Sequence, residues 1–543
     1  MDFGELSKSS ADAKPGVDEE LTNLRAQFKF ITSAKAITES PTLPLGEFYV
    51  DDLYAKLKHY PHVLHDFHAD VIIREDNFKV VDFTGQIDQS DFHFNGGILN
   101  YNLWFEDKLN GNTTIDFKLH SNKLKLEDLL VYKGENFIPV DYRHEELDQL
   151  KFHGNVAMHF DHGLKSTDLQ LDHFTAKMKI HPLRVDRLDG TFHLENEHLV
   201  VKALDAKIGN SDLHLDLNYY LGENPELKKR DNLVHLKSNK LDIDQLINYT
   251  EQAPKASETT APQKVDHDNV VSIYDIPFPE MEFSFIVHDL KYHKYHITQL
   301  NTQFHTKSNH HVSFSKCDLH AAGGEIGMTG YFTATDKKHI YLRPNLTIKN
   351  IQLDQLLLKF DNFGQDHVVA ENLHGKLSGS LTGRIHLHAD MTPKLDDSEI
   401  DLKIEVLKGR LENYAPMKSL ADYFQDKNLS KIHFDSLQNN LKMKNGELTV
   451  PKMGINTSLG YLEISGKQDA KANMEYLISV PLKMVTEAGF KKLFGRKKEE
   501  VSIDQEDAVQ YKTDKMRFIT VKIVGNTDHF SVSLSKKKKH QTG

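Results

Sequence analysis

A ten-residue segment returns along this chain, and this repetition constrains the fold more than any other feature. Residues 121–130 read Ser-Asn-Lys-Leu-Lys-Leu-Glu-Asp-Leu-Leu, and residues 238–247 read Ser-Asn-Lys-Leu-Asp-Ile-Asp-Gln-Leu-Ile. A looser third copy, residues 348–357, reads Ile-Lys-Asn-Ile-Gln-Leu-Asp-Gln-Leu-Leu. Repetition at a nearly constant period is typical of proteins in which one supersecondary unit stacks on the next to bury its apolar face. Leu124, Leu241 and Ile351 are one set of equivalent positions, and the two intervals between them are similar.

Each copy follows segments in which apolar and polar residues alternate, as in a strand with one buried face and one solvent-exposed face. Phe78, Leu199, Val312 and Leu448 occupy equivalent places in four such segments, at intervals that drift along the chain. The last of them therefore indicates a fourth copy, and the drift in spacing fits loops of varying length. The pattern predicts many short strands, with a short helix or turn at each Leu-x-Leu-x-x-Leu-Leu segment.

Composition narrows the class of protein. The chain has 543 residues, too many for one ordinary core, and repetition explains that length better than several unrelated domains. A hydrophobic fraction of 39% and a mean hydropathy of −0.52 fit sheets with one wet face. A net charge of −12 argues against nucleic acid as the main partner, because phosphate backbones select basic surfaces. Cys317 is the single cysteine, which excludes an intrachain disulfide.

Several segments outside the repeats have their own predicted structure. Residues 1–17 are polar and indicate disorder, whereas residues 19–36 and 51–60 are predicted to be helices. Residues 251–262 have the composition of a polar linker, and residues 419–426 are predicted to form a further helix.

The sequence leaves the relation to membranes open. No stretch reaches the roughly 18–20 apolar residues of a membrane helix, and the N-terminus lacks the apolar core of a signal peptide. The chain is then either cytosolic or lacks an N-terminal piece. Residues 481–498 fit either a basic amphipathic helix on an anionic membrane or a solvated helix packed on the sheet. The basic residues 536–539 fit either a disordered end or a membrane contact.

Histidine is abundant, with 32 residues, but its pattern does not specify a metal site. A metal requires ligands that converge at fixed distances, whereas His193 and His214 alternate with apolar residues as on the polar face of a strand. The sequence also lacks a nucleophile elbow, a Walker loop, a dinucleotide-binding glycine pattern and a zinc-protease helix. We therefore expect no metal, no cofactor and no enzymatic activity. The densest histidine cluster is His62, His65 and His68 with Asp66 and Asp70.

The order of short segments in the C-terminal part of the chain is the most specific signal of kinship. These segments are Gly409-Arg410-Leu411, Ile432, Phe434, Leu437, Asn445-Gly446-Glu447-Leu448, Pro451, Ser458-Leu459-Gly460, Ile464-Ser465-Gly466, Met474-Glu475-Tyr476 and Val480-Pro481-Leu482. Their order resembles the C-terminal region of the AsmA family. Residues 60–67 and 87–92 are similar to AsmA-like proteins of Bacteroidetes, and the resemblance extends over about residues 45–535.

The resemblance implies a fold and a function. AsmA-like proteins are anchored in the inner membrane, lie mostly in the periplasm and take part in outer-membrane biogenesis. They are similar to bridge-like lipid transport proteins, in which a long curved sheet forms an apolar groove. The resemblance thus implies a mostly β protein built as an elongated, curved antiparallel sheet, a repeating β-groove with short helices between repeats. It implies phospholipids, the inner- or outer-membrane surface and an envelope protein as partners, and no nucleic acid.

The family also begins with a membrane helix and an N-terminal repeat region that this sequence lacks. We therefore expect the chain to be the C-terminal part of a longer protein, or the product of a shifted start, and to be anchored by a helix absent from it. The expected organisation is an N-terminal disordered or helical segment (1–44), β repeats (45–135, 136–250 and 271–365), a polar linker (251–270), an AsmA-like C-terminal region (366–535) and a basic tail (536–543).

The alternation of apolar and polar residues also selects candidates for the lining of the lipid groove. The alternative to a groove is a sandwich, because the same residues could form a core that a second sheet covers. A groove implies a conduit for phospholipid between the membranes. The other hypotheses are a periplasmic scaffold that affects assembly or targeting of outer-membrane proteins and a His-rich metal-binding surface protein. The groove candidates are Phe78, Val80, Phe92, Phe94, Leu199, Val201, Leu213, Leu215, Leu217, Val312, Phe314, Leu448, Val450, Leu462 and Ile464.

Overall fold

The structure, a computed structural model, describes most of the chain and divides it into two compact units. Unit 1 comprises Met1–Ala253 with Val287–Tyr292, and unit 2 comprises Pro254–Ile286 with His293–Gly543. The division falls in the predicted linker, which lies outside the described residues. The described residues are 21–35, 43–105, 110–129, 131–132, 134–136, 138, 143–179, 183–246, 273–275, 278–292, 295–359, 371–389, 391, 393–413, 431–469, 473–482, 509, 516–526 and 529–535.

Unit 1 is an antiparallel sheet in which each strand pairs with the next along the chain. A small hairpin, β7 (Val131–Tyr132) with β8 (Glu135–Asn136), is inserted between two of these strands, which pair directly with each other. The strands are β1 (Leu21–Ile31), β2 (Gly46–Leu57), β3 (Val63–Ile73), β4 (Asn77–Ile87), β5 (Ser90–Leu99), β6 (Asn110–Lys125), β9 (Glu146–Asp161), β10 (Leu164–Met178), β11 (Arg184–Glu195), β12 (His198–Ile208), β13 (Ser211–Tyr220) and β14 (Leu233–Asp242).

Unit 2 is built in the same way, with each strand antiparallel to its predecessor. One further strand, β15 (Met281–Tyr292), contributes residues to both units. The strands of unit 2 are β16 (Tyr295–Lys307), β17 (His311–Ala321), β18 (Gly324–Asp336), β19 (His339–Gln352), β20 (Leu373–Leu387), β21 (Pro393–Glu412), β22 (Lys431–Lys444), β23 (Glu447–Thr457), β24 (Gly460–Asp469), β25 (Met474–Pro481), β26 (Phe518–Gly525) and β27 (Phe530–Leu534).

Helices are few and short in the described part of the chain. Those with three or more described residues are η1 (Tyr101–Phe105), α1 (Leu126–Leu129), α2 (Pro225–Asp231), α3 (Ile243–Leu246), η2 (Ile273–Asp275) and α4 (Leu353–Lys359). None of them has the length and apolar character needed to cross a membrane. The predicted fold class, mostly β with a curved antiparallel sheet and short helices between repeats, is confirmed within each unit.

The sequence repeat corresponds to a repeated hairpin. Strands β4, β12, β17 and β23 each contain 11 residues, and in each the predicted marker (Phe78, Leu199, Val312 or Leu448) is the second. A two-residue turn follows every one of them before the next strand begins. In the first three copies the third strand ends just after the buried Leu124, Leu241 or Ile351 and then runs into α1, α3 or α4. The predicted equivalences and the short helix at each Leu-x-Leu-x-x-Leu-Leu segment are confirmed.

The four hairpins also share a β-bulge at the same place. The pairing register of the first strand shifts after Val80, Val201, Phe314 and Val450, which is the fourth residue of that strand in every copy. In β12 the bulge places Val201 and Leu204 on one face although they are three positions apart. Ala203 takes the left-handed conformation there, with φ of 49°. Such bulges bend a strand and increase its twist.

A carboxylate clamp explains why the Asn of Ser-Asn-Lys-Leu recurs in the first two copies. Asp212 starts the second strand of its hairpin, and its oxygens accept hydrogen bonds from the backbone N–H of Lys240 (2.7 Å) and the side-chain amide of Asn239 (2.8 Å). The preceding serine, Ser211, is fully buried and accepts from the backbone N–H of Asp242 at 2.9 Å. Ser90 and Asp91 accept the same hydrogen bonds from the first copy. In both copies these bonds hold the end of the third strand against the turn that precedes the second strand.

The third copy is looser because it replaces the clamp with an ion pair. Glu325 and Lys349 stand where the other copies have Asp and Asn, and their side chains approach to 3.6 Å. The serine position is Gly324, at which a Cβ atom would lie 2.3 Å from the carbonyl oxygen of Lys349. The two chain segments therefore meet by backbone contact, and the Asn of the repeat is not required there.

Two sequence predictions are wrong near the N-terminus. Residues 19–36 and 51–60 were expected to be helical, but Leu21–Ile31 form β1 and residues 51–57 belong to β2. Of the other described residues in these two segments, only Ala34 and Lys35 are helical. Leu24, Phe28 and Phe30 face the same side as their partners Ala55, Val50 and Phe48. In β1 the spacing of four between Leu24 and Phe28 fits the helical period as well as the strand period. In β2 a register shift separates Val50 from Ala55 and interrupts the strand alternation.

The strands are also longer than the short strands that the alternation suggested. For example, β5 contains 10 residues and β6 contains 16 residues. Each bulge reverses the alternation in mid-strand, so one bulged strand looks in the sequence like two short ones. Other predictions fall outside the described residues: the disorder of 1–17, the linker 251–262, the helix 419–426, nearly all of the amphipathic segment 481–498 and the tail 536–539.

Candidate functional site

One face of the sheet in unit 1 is apolar, and the strand pairing defines it. Residues directly opposite each other in an antiparallel pair point to the same face. Val201 lies opposite Leu217, Leu204 opposite Leu215, and Ala206 opposite Leu213. Leu213, Leu215 and Leu217 occupy every second position on one strand, so the whole set shares a face. We call this side of the sheet the apolar face of unit 1.

The same face continues across the first repeat. Phe78 lies opposite Ile98, Val80 opposite Gly96, and Phe94 opposite Leu119, which in turn lies opposite Phe152. Following partners strand by strand places all nine groove candidates of unit 1 on the apolar face. They are Phe78, Val80, Phe92, Phe94, Leu199, Val201, Leu213, Leu215 and Leu217.

Unit 2 has a corresponding apolar face. Val312 lies opposite Phe332, and Phe332 opposite Leu342. Farther along, Leu448 lies opposite Met443, and Leu462 lies opposite Ile455. The partners connect these strands through β20, β21 and β22, so all six candidates of this unit share one face. They are Val312, Phe314, Leu448, Val450, Leu462 and Ile464.

Aromatic rings, most of which the sequence did not select, reinforce these faces. Phe67, Phe83 and Phe92 meet at ring-centroid distances of 5.3–5.6 Å, and Phe152 lies 4.9 Å from Phe117. In unit 2 the rings of Phe283 and Phe304 stack at 4.8 Å. Phe67 and Phe83 were missed because bulges displace them from strict alternation, and only the cross-strand pairing reveals them.

The apolar faces are only partly covered. Among the fifteen candidates, Val201, Val312, Val450 and Leu462 are 3–8% exposed, and the other eleven are half-buried. On the edge strand β1, Phe28 and Phe30 are both 61% exposed. Within each unit the described strands form a single sheet apart from the β7–β8 hairpin, so no second sheet covers the apolar face there. The sandwich alternative does not describe this part of the chain.

The opposite face of unit 1 carries histidine–carboxylate pairs. His193 contacts Asp168 at 2.7 Å, and His214 contacts Asp205 at 2.9 Å. Both histidines point away from the apolar face, because their strand neighbours Phe192 and Leu213 point toward it. The interpretation of these histidines as a polar strand face is confirmed. The sheet therefore separates a charged side from an apolar side.

Cys317 lies on the apolar face of unit 2, two positions before Leu319 on β17. Burial raises the pKa of its thiol, and the charge of Asp318 adds to that effect, whereas a hydrogen bond with Thr302 lowers the pKa. A thiol in such surroundings stays protonated at neutral pH, which suits an apolar surface better than a nucleophile.

The sequence cluster of His62, His65 and His68 does not converge. His65 pairs with Asp66, whereas His68 lies 3.7 Å from Asp51 on β2. Among the described residues, one group of three side chains could hold a metal ion, and it takes only His62 from that cluster. No family model, curated protein or solved structure matches this chain.

Proposed function

We propose that this chain is an AsmA-like envelope protein that binds phospholipid acyl chains on its apolar faces. In this proposal it works in the periplasm and conducts lipid between the inner and outer membranes, without catalysing a reaction. The observation that carries the proposal is the incompletely covered apolar face that runs through each unit, with all fifteen candidates on it. A soluble monomer rarely leaves so extended an apolar surface without a ligand.

The dimensions of the strands suit acyl chains. An 11-residue strand such as β12 spans roughly 35 Å at about 3.3 Å per residue. One acyl chain spans about 15 Å, half the hydrocarbon core of a bilayer. Burying a chain stabilises it by about 0.8 kcal/mol per CH₂ group, hence on the order of 10 kcal/mol for a whole tail. Since successive hairpins repeat, neighbouring positions offer similar shelter and a lipid can move between them at little cost.

The test is transfer of a fluorescent phospholipid between vesicles by the purified chain. Leu215→Asp and Phe314→Asp place a charge on the apolar faces of units 1 and 2. Their matched controls are Asn218→Asp and Ser313→Asp, which add the same charge to the opposite face of the same strands. We expect the first pair to lose most binding and transfer and the controls to keep it. Full activity in Leu215→Asp and Phe314→Asp would refute the proposal.

A second candidate function is a non-enzymatic scaffold that affects assembly or targeting of outer-membrane proteins. It is favoured by β1, which pairs within the described residues with β2 alone and exposes Phe28 and Phe30 beside its free edge. An edge strand of this kind is a docking site for a strand of another protein. A membrane protein that co-purifies with the chain, and is lost in Phe28→Asp, would support the scaffold if no lipid is bound.

A further inference from the structure

Three side chains from separate segments meet at one end of the first repeat. His62 immediately precedes β3, Asp88 lies in the two-residue turn between β4 and β5, and Asp128 lies in α1. The Nδ1 atom of His62 is 2.7 Å from Oδ2 of Asp88 and 3.7 Å from Oδ1 of Asp128. The three facing atoms lie within 4.8 Å of one another. Ligand atoms around a tetrahedral Zn²⁺ are about 3.3 Å apart, given bonds of about 2.0–2.1 Å.

Each carboxylate is held by a donor on its far oxygen. The backbone N–H of Val63 donates to Oδ1 of Asp88 at 2.9 Å, and the hydroxyl of Ser90 donates to Oδ2 of Asp128 at 3.0 Å. The near oxygens are thereby aimed at His62. Outer partners of this kind orient the ligands of metal sites.

Asp128 brings a largely buried carboxylate to this point. Its side chain is only 7% exposed, and Oδ1 has the imidazole of His62 at 3.7 Å, beyond hydrogen-bonding distance. A buried carboxylate is costly unless hydrogen bonds or a positive charge compensate it. A cation between the facing carboxylates of Asp88 and Asp128 would provide that compensation.

The other copies of the repeat show that the carboxylates are not needed for the fold. The position of Asp128 is occupied by Gln245 in the second copy and by Gln355 in the third. Asp88 is replaced by Gly209, which keeps the left-handed conformation of that turn with φ of 54°. In the second copy the amide oxygen of Gln245 accepts a hydrogen bond from the backbone N–H of Asn210 at 2.7 Å. A neutral hydrogen bond therefore joins α3 to the β12–β13 turn.

We propose that His62, Asp88 and Asp128 bind a divalent transition-metal cation such as Zn²⁺. Imidazole nitrogen and carboxylate oxygen are both ligands of Zn²⁺, and three protein ligands leave one position for water. His62 binds through Nδ1 as the tautomer that carries its hydrogen on Nε2. The cation joins the start of β3, the β4–β5 turn and α1, and it neutralises two facing carboxylates. The bound cation would stabilise the first repeat whether or not lipid is bound.

Zn²⁺ titration by calorimetry on the whole chain tests this site, with four proteins compared. Asp128→Gln installs the residue of the other copies, and Asp88→Asn removes the second carboxylate. His214→Gln, the control, removes a histidine–carboxylate pair from the open face of the sheet. We expect one saturable site in the wild type and in His214→Gln, and affinity at least tenfold weaker in the other two.

Thermal unfolding provides a second readout, because a ligand that binds only the folded state raises the melting temperature. Zn²⁺ should raise it in the wild type and in His214→Gln, and should leave Asp128→Gln and Asp88→Asn unchanged. Equal affinity in all four proteins, or no saturable binding in the wild type, overturns the proposal. Either result is separate from lipid transfer, since none of these substitutions changes an apolar face.

Discussion

Asp91 binds Asn122 twice, accepting both its backbone N–H and its side-chain amide on one oxygen at 3.0 Å. Asp212 and Asn239 repeat this relationship in the second copy, at 3.3 and 2.8 Å. The Asn of the repeated Ser-Asn-Lys-Leu string is thus half of a pair whose other half lies at the start of the preceding strand. The Asn persists in the first two copies because this pair fastens the third strand of each repeat to the second.

Breaking this clamp should destabilise the fold. Asp212→Asn places an amide group where two or three N–H donors converge, and hydrogen bonds to a charged group are each worth about 1.5–3 kcal/mol. We expect the free energy of unfolding in urea to fall by about 2 kcal/mol. Asp161→Asn is the control, because its carboxylate is exposed, has a distant contact to His162 at 3.7 Å, and should matter by less than about 0.5 kcal/mol. Equal losses in the two variants would contradict the clamp.

The bulge in β12 predicts opposite effects of one substitution at two alanines. Ala203 has φ of 49°, which costs a non-glycine residue about 1 kcal/mol, so Ala203→Gly should stabilise the protein by up to that amount. Ala206, three positions later, is buried and extended, and Ala206→Gly should destabilise it by about 1 kcal/mol. Urea denaturation measures both. The bulge assignment fails if the two variants shift stability in the same direction.

Low pH should selectively weaken the contacts of Asp231, at the end of α2, with Arg230 and His198. A hydrogen bond from Arg230, and then one from His198, lower the pKa of Asp231 to about 2. Since this lies below the unfolded value of about 3.9, the stabilisation is complete above pH 4 and is lost as pH falls from about 4 to 2. Asp231→Asn should therefore be less stable than the wild type at pH 5, and the difference should vanish near pH 2. A difference independent of pH would contradict the lowered pKa.

Cys317 offers a probe of the apolar face of unit 2. Because burial raises the pKa of its thiol, iodoacetamide should react with it more slowly at pH 7.5 than with free cysteine, and the rate should keep rising above pH 9. Bound phospholipid should slow the reaction further. The rates follow from mass spectrometry of the alkylated chain. A rate equal to that of free cysteine, with or without lipid, would mean that Cys317 does not lie on a covered apolar surface.

The sequence was sufficient to predict the repeat, the strand-rich fold class and the side of the sheet on which the candidates lie. Leu213, Leu215 and Leu217 alternate without interruption, so their common face could be read directly. Phe83 and Leu204 could not be assigned in this way, because each follows a bulge. Bulges depend on pairing with the neighbouring strand, and no local pattern shows them.

The proposed cation site shows the same limit. The sequence grouped His62 with Asp66 and Asp70, which are close along the chain. In the structure His62 faces Asp88 and Asp128, which are distant along the chain and arrive by strand pairing. Only the comparison between copies, with Gln245 in place of Asp128, could have marked the position from sequence.

Native mass spectrometry of the chain purified from membranes in mild detergent tests lipid binding most directly. We predict a folded protein that retains several phospholipids, with fewer in Leu215→Asp and the wild-type number in Asn218→Asp. A folded wild-type chain that stays free of lipid, even after incubation with phospholipid vesicles, would contradict the proposal that its apolar faces bind acyl chains.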